Sequence, residues 1–124
     1  KNHGFSHSDE PYLPTDSKPN APTVEDQLRD ENSLLNLVKR LVKLRTQNSG
    51  FSHVSNWKIL AKAYPFVYER AIGDKKYLVA LNPAAEEKIC EIPAVKEIVV
   101  SQNVKIEGNR LYMGGVSCMV AEIL

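Results

Sequence analysis

The sequence FVYERAIGDKKYLVAL, residues 66–81, contains two strand-like runs on either side of a short glycine-containing turn. The first run, Phe66–Ile72, alternates with a period of two. The second run, Lys76–Leu81, follows the turn Gly73–Lys75. Two such runs joined by a Gly-Asp turn predict an antiparallel β-hairpin. The hairpin indicates that this half of the chain is built from strands.

Further short runs rich in β-branched residues lie on both sides of the hairpin. Glu107–Asn109 and the pair Gly114 and Gly115 have the composition of turns between such runs. The additional runs are Trp57–Leu60, Lys88–Ile92, Glu97–Val100, Val104–Ile106, Arg110–Met113 and Val116–Ile123. Roughly seven or eight strands without intervening helices predict a mainly β fold, an antiparallel sandwich or barrel, of which we favour a β-sandwich of Greek-key type.

The segment Ser33–Arg45, before these strands, is the only long part of the chain with a helical period. Apolar side chains at positions 34, 37, 38, 41 and 44, with 35 and 42 beside them, cover about half of the helix surface. A helix that packs on a single surface needs a narrower apolar face, so we expect two surfaces to cover this amphipathic helix. Asp30 is its predicted N-cap, and Gly50 or Asn48 its predicted C-terminal cap.

The residues before the helix read as an extended arm, because Pro11, Pro14, Pro19 and Pro22 recur too closely for a regular helix or a central strand. Spaced apolar side chains in this arm predict that it lies on another surface. The predicted organisation is therefore an N-terminal arm and helix over residues 1–50, followed by a β-sandwich over residues 51–124.

Composition narrows the functional classes. The 124 residues carry a net charge of +1, and no apolar run approaches the roughly 20 residues of a membrane span. We therefore expect no nucleic-acid partner and no membrane partner, while the cellular compartment stays undetermined. Cys90 and Cys118 lie in strand-like contexts, as two core thiols or as a disulfide between neighbouring strands.

The sequence offers no catalytic, metal-binding or cofactor-binding constellation. His3 and His7 lie in a Gly/Ser-containing arm with no third metal ligand at a recognised spacing. The acidic pairs are adjacent residues whose side chains point apart, unlike the facing carboxylates of glycosidases. We expect no catalytic residue, no metal and no cofactor in this chain.

Aromatic side chains are the remaining candidates for binding. Trp57, Tyr64 and Tyr112 are the predicted sugar-stacking residues, if they lie exposed on a sheet face. Phe66, Tyr68 and Tyr77 extend the set. The alternative is that these alternating aromatic side chains fill the core of the sandwich.

Several motifs resemble the end of the catalytic domain of α-amylase-superfamily glycoside hydrolases, in the branch of α-glucosidases, oligo-1,6-glucosidases and trehalose synthases. They lie in the family's order at Asn2–Ser6, Pro11–Pro14, Thr23–Gln27, Asp30–Leu35 and Leu41–Arg45. Tyr64–Tyr68 and Leu78–Pro83 resemble the first strands of the family's C-terminal sandwich, and Val116–Leu124 resembles its closing strand. The resemblance covers nearly the whole chain.

The resemblance implies a C-terminal fragment: the last loop and helix of a (β/α)₈ barrel, followed by the sandwich. It also implies that Asn2, Gly4 and Phe5 approach the substrate cleft, although His3 replaces the family's alanine. The catalytic carboxylates of the family's retaining mechanism lie upstream. The implied partners are the barrel of the parent chain and, through the parent, an α-glucan or maltooligosaccharide.

Three functions remain open at this point. The first is a noncatalytic domain that covers and stabilises the barrel. The second is a carbohydrate-binding module that uses exposed aromatic side chains. The third is an unrelated β-sandwich interaction domain. An isolated fragment also needs a cover for its helix: the arm residues Phe5, Tyr12 and Leu13 together with the sandwich, or a second copy in a homodimer.

Overall fold

The computed structural model describes residues 2–4, 6–16, 18–51, 53 and 55–124. The chain divides into two compact units, Lys1–Val42 and Lys43–Leu124. The first unit contains the arm, a short helix and most of a longer helix. The second contains all the strands assigned in the described residues.

Helix α1, Val24–Arg29, lies in the part of the chain expected to be extended throughout. Thr23 is its N-cap, since its side-chain oxygen accepts a hydrogen bond of 3.1 Å from the backbone N–H of Asp26. Acidic residues in the first turn and Arg29 in the last turn suit the helix dipole. The prediction of a wholly extended arm is therefore wrong, because these local signals outweigh the nearby prolines.

Helix α2, Leu34–Gln47, confirms the predicted amphipathic helix but begins later than expected. The backbone N–H of Asn36 donates to Ser33 Oγ at 3.2 Å, which makes Ser33 the capping residue. Asp30 instead ends α1, and its carboxylate accepts from the backbone N–H of Asn32 at 2.9 Å. The prediction of Asp30 as the N-cap is wrong because a separate turn lies between the helices.

Side-chain hydrogen bonds hold this corner between α1 and α2. Asn36 Nδ2 donates to the backbone oxygens of Gln27 and Asp30, both at 2.8 Å. Ser33 Oγ donates to the same Gln27 oxygen at 2.6 Å. The carbonyl groups that α1 leaves unpaired at its C-terminal end are thus satisfied by α2.

The second unit confirms the predicted mainly β, antiparallel fold. Its strands pair in the order β1-β2-β3-β6-β4, with β5 also paired to β6. The consecutive strands β3 and β4 are thus separated by β6. The strands are β1 Asn56–Ala61, β2 Phe66–Ile72, β3 Lys75–Asn82, β4 Lys88–Glu91, β5 Val95–Glu107 and β6 Arg110–Ile123.

The described residues contain six strands because two pairs of predicted short strands are continuous. Strand β5 runs through Asn103, and β6 runs through Gly114 and Gly115, where a turn was expected. Asn103 and Val116 have φ angles of 53° and 50°, and the β5–β6 register shifts between Gln102 and Val104. At these positions the strands contain bulge-like irregularities, and the chain does not turn there.

The hydrophobic core joins both halves of β6. Leu111 and Met113 from its first half lie in the same buried cluster as Met119 and Ala121 from its second half. Val67, Leu78, Ala80, Ile92 and Ile123 complete the cluster. The long bent strand therefore folds the sheet over one shared core.

The opposite face of β3 is covered as well. Tyr77 is buried, its ring centroid lies 5.0 Å from that of Phe51, and its hydroxyl accepts a hydrogen bond of 2.7 Å from Asn48 Nδ2. A Cβ atom on Gly50 would lie 2.5 Å from the Tyr77 ring, so only glycine fits there without displacement. The segment after α2 is thus built onto the central strand.

Candidate functional site

The apolar face of α2 is only partly covered. Leu37 is 8% exposed, whereas Leu34 is 69% exposed, and Val38 and Val42 are exposed as well. These last three residues, spaced by four, form one line along the helix, which we call the helix stripe (Leu34, Val38, Val42). The three exposed side chains form a continuous apolar line on the helix surface.

Two of the arm residues predicted to cover this stripe are exposed instead. Tyr12 is fully exposed and Leu13 is largely exposed, so neither side chain serves as the expected cover. Phe5, the third predicted contributor, lies outside the described residues. Pairing with a second copy stays a prediction.

A pocket on the sheet of the second unit forms the clearest candidate binding site. It has a volume of about 280 Å³ and is lined by Trp57, Phe66, Tyr68 and Arg70; we call it the aromatic pocket. Trp57 lies directly opposite Arg70 in the β1–β2 pairing. Phe66, Tyr68 and Arg70 alternate along β2 with the core residue Val67, so they lie on the face away from the core cluster.

The aromatic rings of the pocket are partly open to solvent. Trp57 is 65% exposed, and Phe66 and Tyr68 are half-buried with ring centroids 5.7 Å apart. The interpretation that the aromatic side chains fill the core therefore does not hold for these three residues. Tyr77, by contrast, is buried.

A guanidinium group forms the polar wall of the pocket. Arg70 Nε donates a hydrogen bond of 2.9 Å to Ser55 Oγ, and a second guanidinium nitrogen donates to the same oxygen. Ser55 is itself buried. This anchor fixes the guanidinium beside the rings, since two donors of its rigid fork share one acceptor.

The structure does not bring the three predicted sugar-stacking residues together. Trp57 lines the aromatic pocket, whereas Tyr64 and Tyr112 are not among its lining residues. Tyr64 is exposed, and Tyr112 is half-buried on β6, where it pairs with Ile89 of β4 and Lys105 of β5. A sugar-binding role for the three stays a prediction.

Arg70 was not among the predicted binding residues, and Phe66 and Tyr68 were predicted only as additional members of the aromatic set. The period-two spacing of these residues along the predicted strand was the available signal, because it places all three on one face. Their pairing with Trp57 depends on the β1–β2 register, which the sequence does not specify.

The predicted substrate contacts near the N-terminus lie in a separate feature of the first unit. Asn2 Nδ2 donates to the backbone oxygens of Ser6 at 3.0 Å and Ser8 at 2.7 Å, so this amide holds its own loop. Gly4 has a φ angle of 82°, in the left-handed region that favours glycine. Substrate contact by Asn2 and Gly4 stays a prediction, and Phe5 lies outside the described residues.

A cavity of about 410 Å³ adjoins this loop. Its lining includes Asn2, His3, Leu13 and Asp16, and His3 Nε2 lies 2.9 Å from the backbone oxygen of Asp16. The described part of the chain contains no cluster of three potential metal-ligating side chains and no helix long and apolar enough to span a membrane.

Comparison with known proteins finds a similar fold in trehalulose and isomaltulose synthases. Trehalulose synthase MutB from Pseudomonas mesoacidophila has a similar structure, with a TM-score of 0.78 over 91% of this chain and 16% identity. Isomaltulose synthase from Klebsiella sp. LX3 gives a TM-score of 0.70 over 81% of the chain and 20% identity. Cyclomaltodextrinase from Thermoanaerobacter pseudethanolicus is 23% identical over 71% of the chain. No family model matches the sequence.

The chain spans only a small part of each of these proteins. It covers 22% of the trehalulose synthase, 19% of the isomaltulose synthase and 16% of the cyclomaltodextrinase. The predicted resemblance is confirmed at the level of fold: this chain resembles a C-terminal fragment of α-amylase-family glycoside hydrolases.

Proposed function

We propose that this chain is the noncatalytic C-terminal part of an α-glucan-processing glycoside hydrolase, where it covers and stabilises the catalytic barrel. The helix stripe carries the proposal. Leu34, Val38 and Val42 expose apolar side chains along one line of α2, and burial of such side chains is the main stabilising term in domain association. The outer helices of a (β/α)₈ barrel offer a suitable apolar surface.

The similar proteins support a role within a larger enzyme. Their names assign them trehalulose synthase, isomaltulose synthase and cyclomaltodextrinase activities, and each is several times longer than this chain. We infer that the parent protein acts on α-glucosidic substrates such as maltooligosaccharides. Its nucleophile and acid/base carboxylates would then belong to the barrel, as a retaining mechanism requires two carboxyl groups about 5 Å apart.

Two substitutions in the protein encoded by the complete reading frame test the stabilising role. Val38→Glu places a charge in the helix stripe, and Lys39→Glu places one on the neighbouring exposed position outside it. We expect Val38→Glu to lower the melting temperature by several degrees, since burying an unpaired charge is unfavourable. Lys39→Glu should change it little.

Two results would overturn the proposal. Equal melting temperatures for the two variants would show that the stripe is not buried in the complete protein. A reading frame without roughly 250 barrel-patterned residues beside this chain would remove the barrel itself.

A further inference from the structure

The aromatic pocket is not used by the proposed stabilising role. Its aromatic side chains lie on the sheet face away from the core cluster, and Trp57 is one of the more exposed large side chains of the second unit. Exposed aromatic rings around a concavity are favourable binding surfaces, because a ligand that covers them removes apolar area from water.

The chemistry of the lining suits a sugar ring. A pyranose has an apolar face of C–H groups and an edge of hydroxyl groups. The rings of Trp57, Phe66 and Tyr68 supply apolar surface, and the guanidinium of Arg70, anchored on Ser55, supplies a polar wall. A small number of fixed polar groups within an aromatic lining is the usual composition of a small-molecule site.

The size of the aromatic pocket and the charge of its lining limit the class of ligand further. The volume of about 280 Å³ lies just below the roughly 300–1,000 Å³ of pockets for drug-sized ligands, so one or two sugar rings fill it. Among the described residues that line the pocket, Arg70 is the single cationic side chain, and the other three are aromatic. This balance favours a neutral ligand over a phosphate, which proteins usually bind with several cationic or backbone N–H donors.

We propose that the aromatic pocket binds one end of an α-linked glucan chain, with Trp57 and Tyr68 against the sugar rings and Arg70 at their hydroxyl edge. The choice of an α-glucan rests on the proposed function, whereas the choice of a neutral sugar rests on the pocket. The site would hold substrate near the enzyme without taking part in bond cleavage.

The chain contains a single tryptophan, so its indole fluorescence reports on the pocket alone. Titration of the chain with maltoheptaose up to about 10 mM should give a saturable change in Trp57 emission, with a dissociation constant in the millimolar range or below. Cellotriose, whose β-linkages give a different chain shape, should bind more weakly.

Single substitutions test whether maltoheptaose binds in the aromatic pocket. Tyr68→Ala should weaken maltoheptaose binding roughly tenfold, because one stacking surface is lost. Tyr12→Ala removes a fully exposed aromatic side chain of the first unit, outside the pocket, and should leave the affinity unchanged. A far-ultraviolet spectrum of each variant checks its fold. Trp57→Phe, titrated by calorimetry, keeps an aromatic ring and should bind more weakly than the wild type but still measurably.

The outcomes separate this proposal from the stabilising role. No saturable change with maltoheptaose, or equal weakening by Tyr68→Ala and Tyr12→Ala, would overturn the glucan site and leave the melting results for Val38→Glu intact. A shift of Trp57 emission with protein concentration alone, unaffected by sugar, would overturn it in favour of a second copy in the pocket. Saturable binding by a chain whose reading frame encodes no barrel would support the site and refute the stabilising role.

Discussion

The hydroxyl oxygen of Tyr77 accepts a hydrogen bond of 2.7 Å from the side-chain amide of Asn48. This bond ties the residue after α2 to the central strand of the sheet. Asn48 Oδ1 also accepts from the backbone N–H of Gly50 at 2.9 Å, so one amide side chain holds both the strand and the following turn. Removing this bond tests how strongly it stabilises the start of the second unit.

Tyr77→Phe should lower the free energy of unfolding by about 1 kcal/mol, the usual net value of one hydrogen bond. Asn48→Ala should lower it further, because the bond to Gly50 is lost as well. Urea denaturation measures both changes. Tyr64→Phe, at an exposed tyrosine, is the control and should stay within about 0.5 kcal/mol. Equal effects for the two tyrosines would contradict this view of Tyr77.

Gly115→Ala should destabilise the fold by about 1–3 kcal/mol, because the new Cβ atom would lie 2.0 Å from the backbone oxygen of Ala85. Gly114→Ala is the matched substitution. Its Cβ atom would meet the side chain of Asn103 at 2.4 Å, and that exposed side chain can move away by giving up its hydrogen bond of 2.9 Å to the backbone oxygen of Gly115. Thermal melting should therefore rank Gly115→Ala as the more destabilising change. The opposite order would show that the backbone near Ala85 yields easily.

Leu78→Ala should cost about 2–5 kcal/mol, as expected for a leucine in a packed core. Leu78 is 0% exposed in the core cluster, whereas Leu81 of the same strand is 38% exposed. Leu81→Ala removes the same atoms from a partly solvated position and should cost less than half as much. Chemical denaturation of both variants gives the comparison, and equal losses would show that the assigned core is incorrect.

Burial raises the pKa of the Cys90 thiol above its ordinary value of 9.0. Since the thiolate is the reactive form, iodoacetamide should modify Cys90 more slowly in the folded chain than in the urea-unfolded chain at pH 8–9. A Cys118→Ser background isolates this reaction. Equal rates in the two states would contradict the burial of Cys90.

The raised pKa of Cys90 also determines how the free energy of unfolding changes with pH. The folded chain holds the thiol proton more tightly than the unfolded chain, so the free energy of unfolding should fall as the pH rises above 9.0. Cys90→Ser should remove this part of the pH dependence.

We expect the isolated chain to pair through its helix stripe, since an exposed apolar line favours a cover. Light scattering should show a mass that rises with protein concentration. Val38→Glu should keep the chain monomeric, whereas Lys39→Glu should not. A wild-type chain that stays monomeric at high concentration would exclude the homodimer and leave the barrel as the partner of this stripe.

The strands of the hairpin were predictable because their local signals agree. Phe66–Ile72 and Lys75–Asn82 carry strand-forming residues on both sides of a Gly-Asp turn, and the structure places β2 and β3 there. Ser33 was harder to identify as a cap, because Asp30 fits the same chemical rule three residues earlier. Which of them caps α2 depends on α1, whose hydrogen bonds to Asn36 and Ser33 fix the corner.

The continuous strands were not predictable from composition. Gly114 and Gly115 are typical of a turn, yet here they permit close approach to Ala85 and Asn103 inside β6. Val116 adopts a φ angle of 50°, which β-branched residues rarely do, and tertiary pairing imposes it. The local sequence contains no signal for such a conformation.

The aromatic pocket was predictable only in part. Alternation along β2 places Phe66, Tyr68 and Arg70 on one face, but both faces of this strand carry apolar residues. Alternation alone therefore does not say which face meets the core. Only the packing of Val67 into the core cluster identifies the other face as the one that carries the aromatic pocket.

Strand β6 belongs to both halves of the sheet. Its first half pairs with β4, its second half pairs with β3, and β5 runs beside both halves. Neither half can detach without taking a paired strand from the other. We therefore expect this unit to lose its structure in a single cooperative transition. In a single transition of this kind, the sheet face that carries Trp57, Phe66 and Tyr68 forms together with the rest of the sheet, so we expect the aromatic pocket to be present only in the fully folded unit.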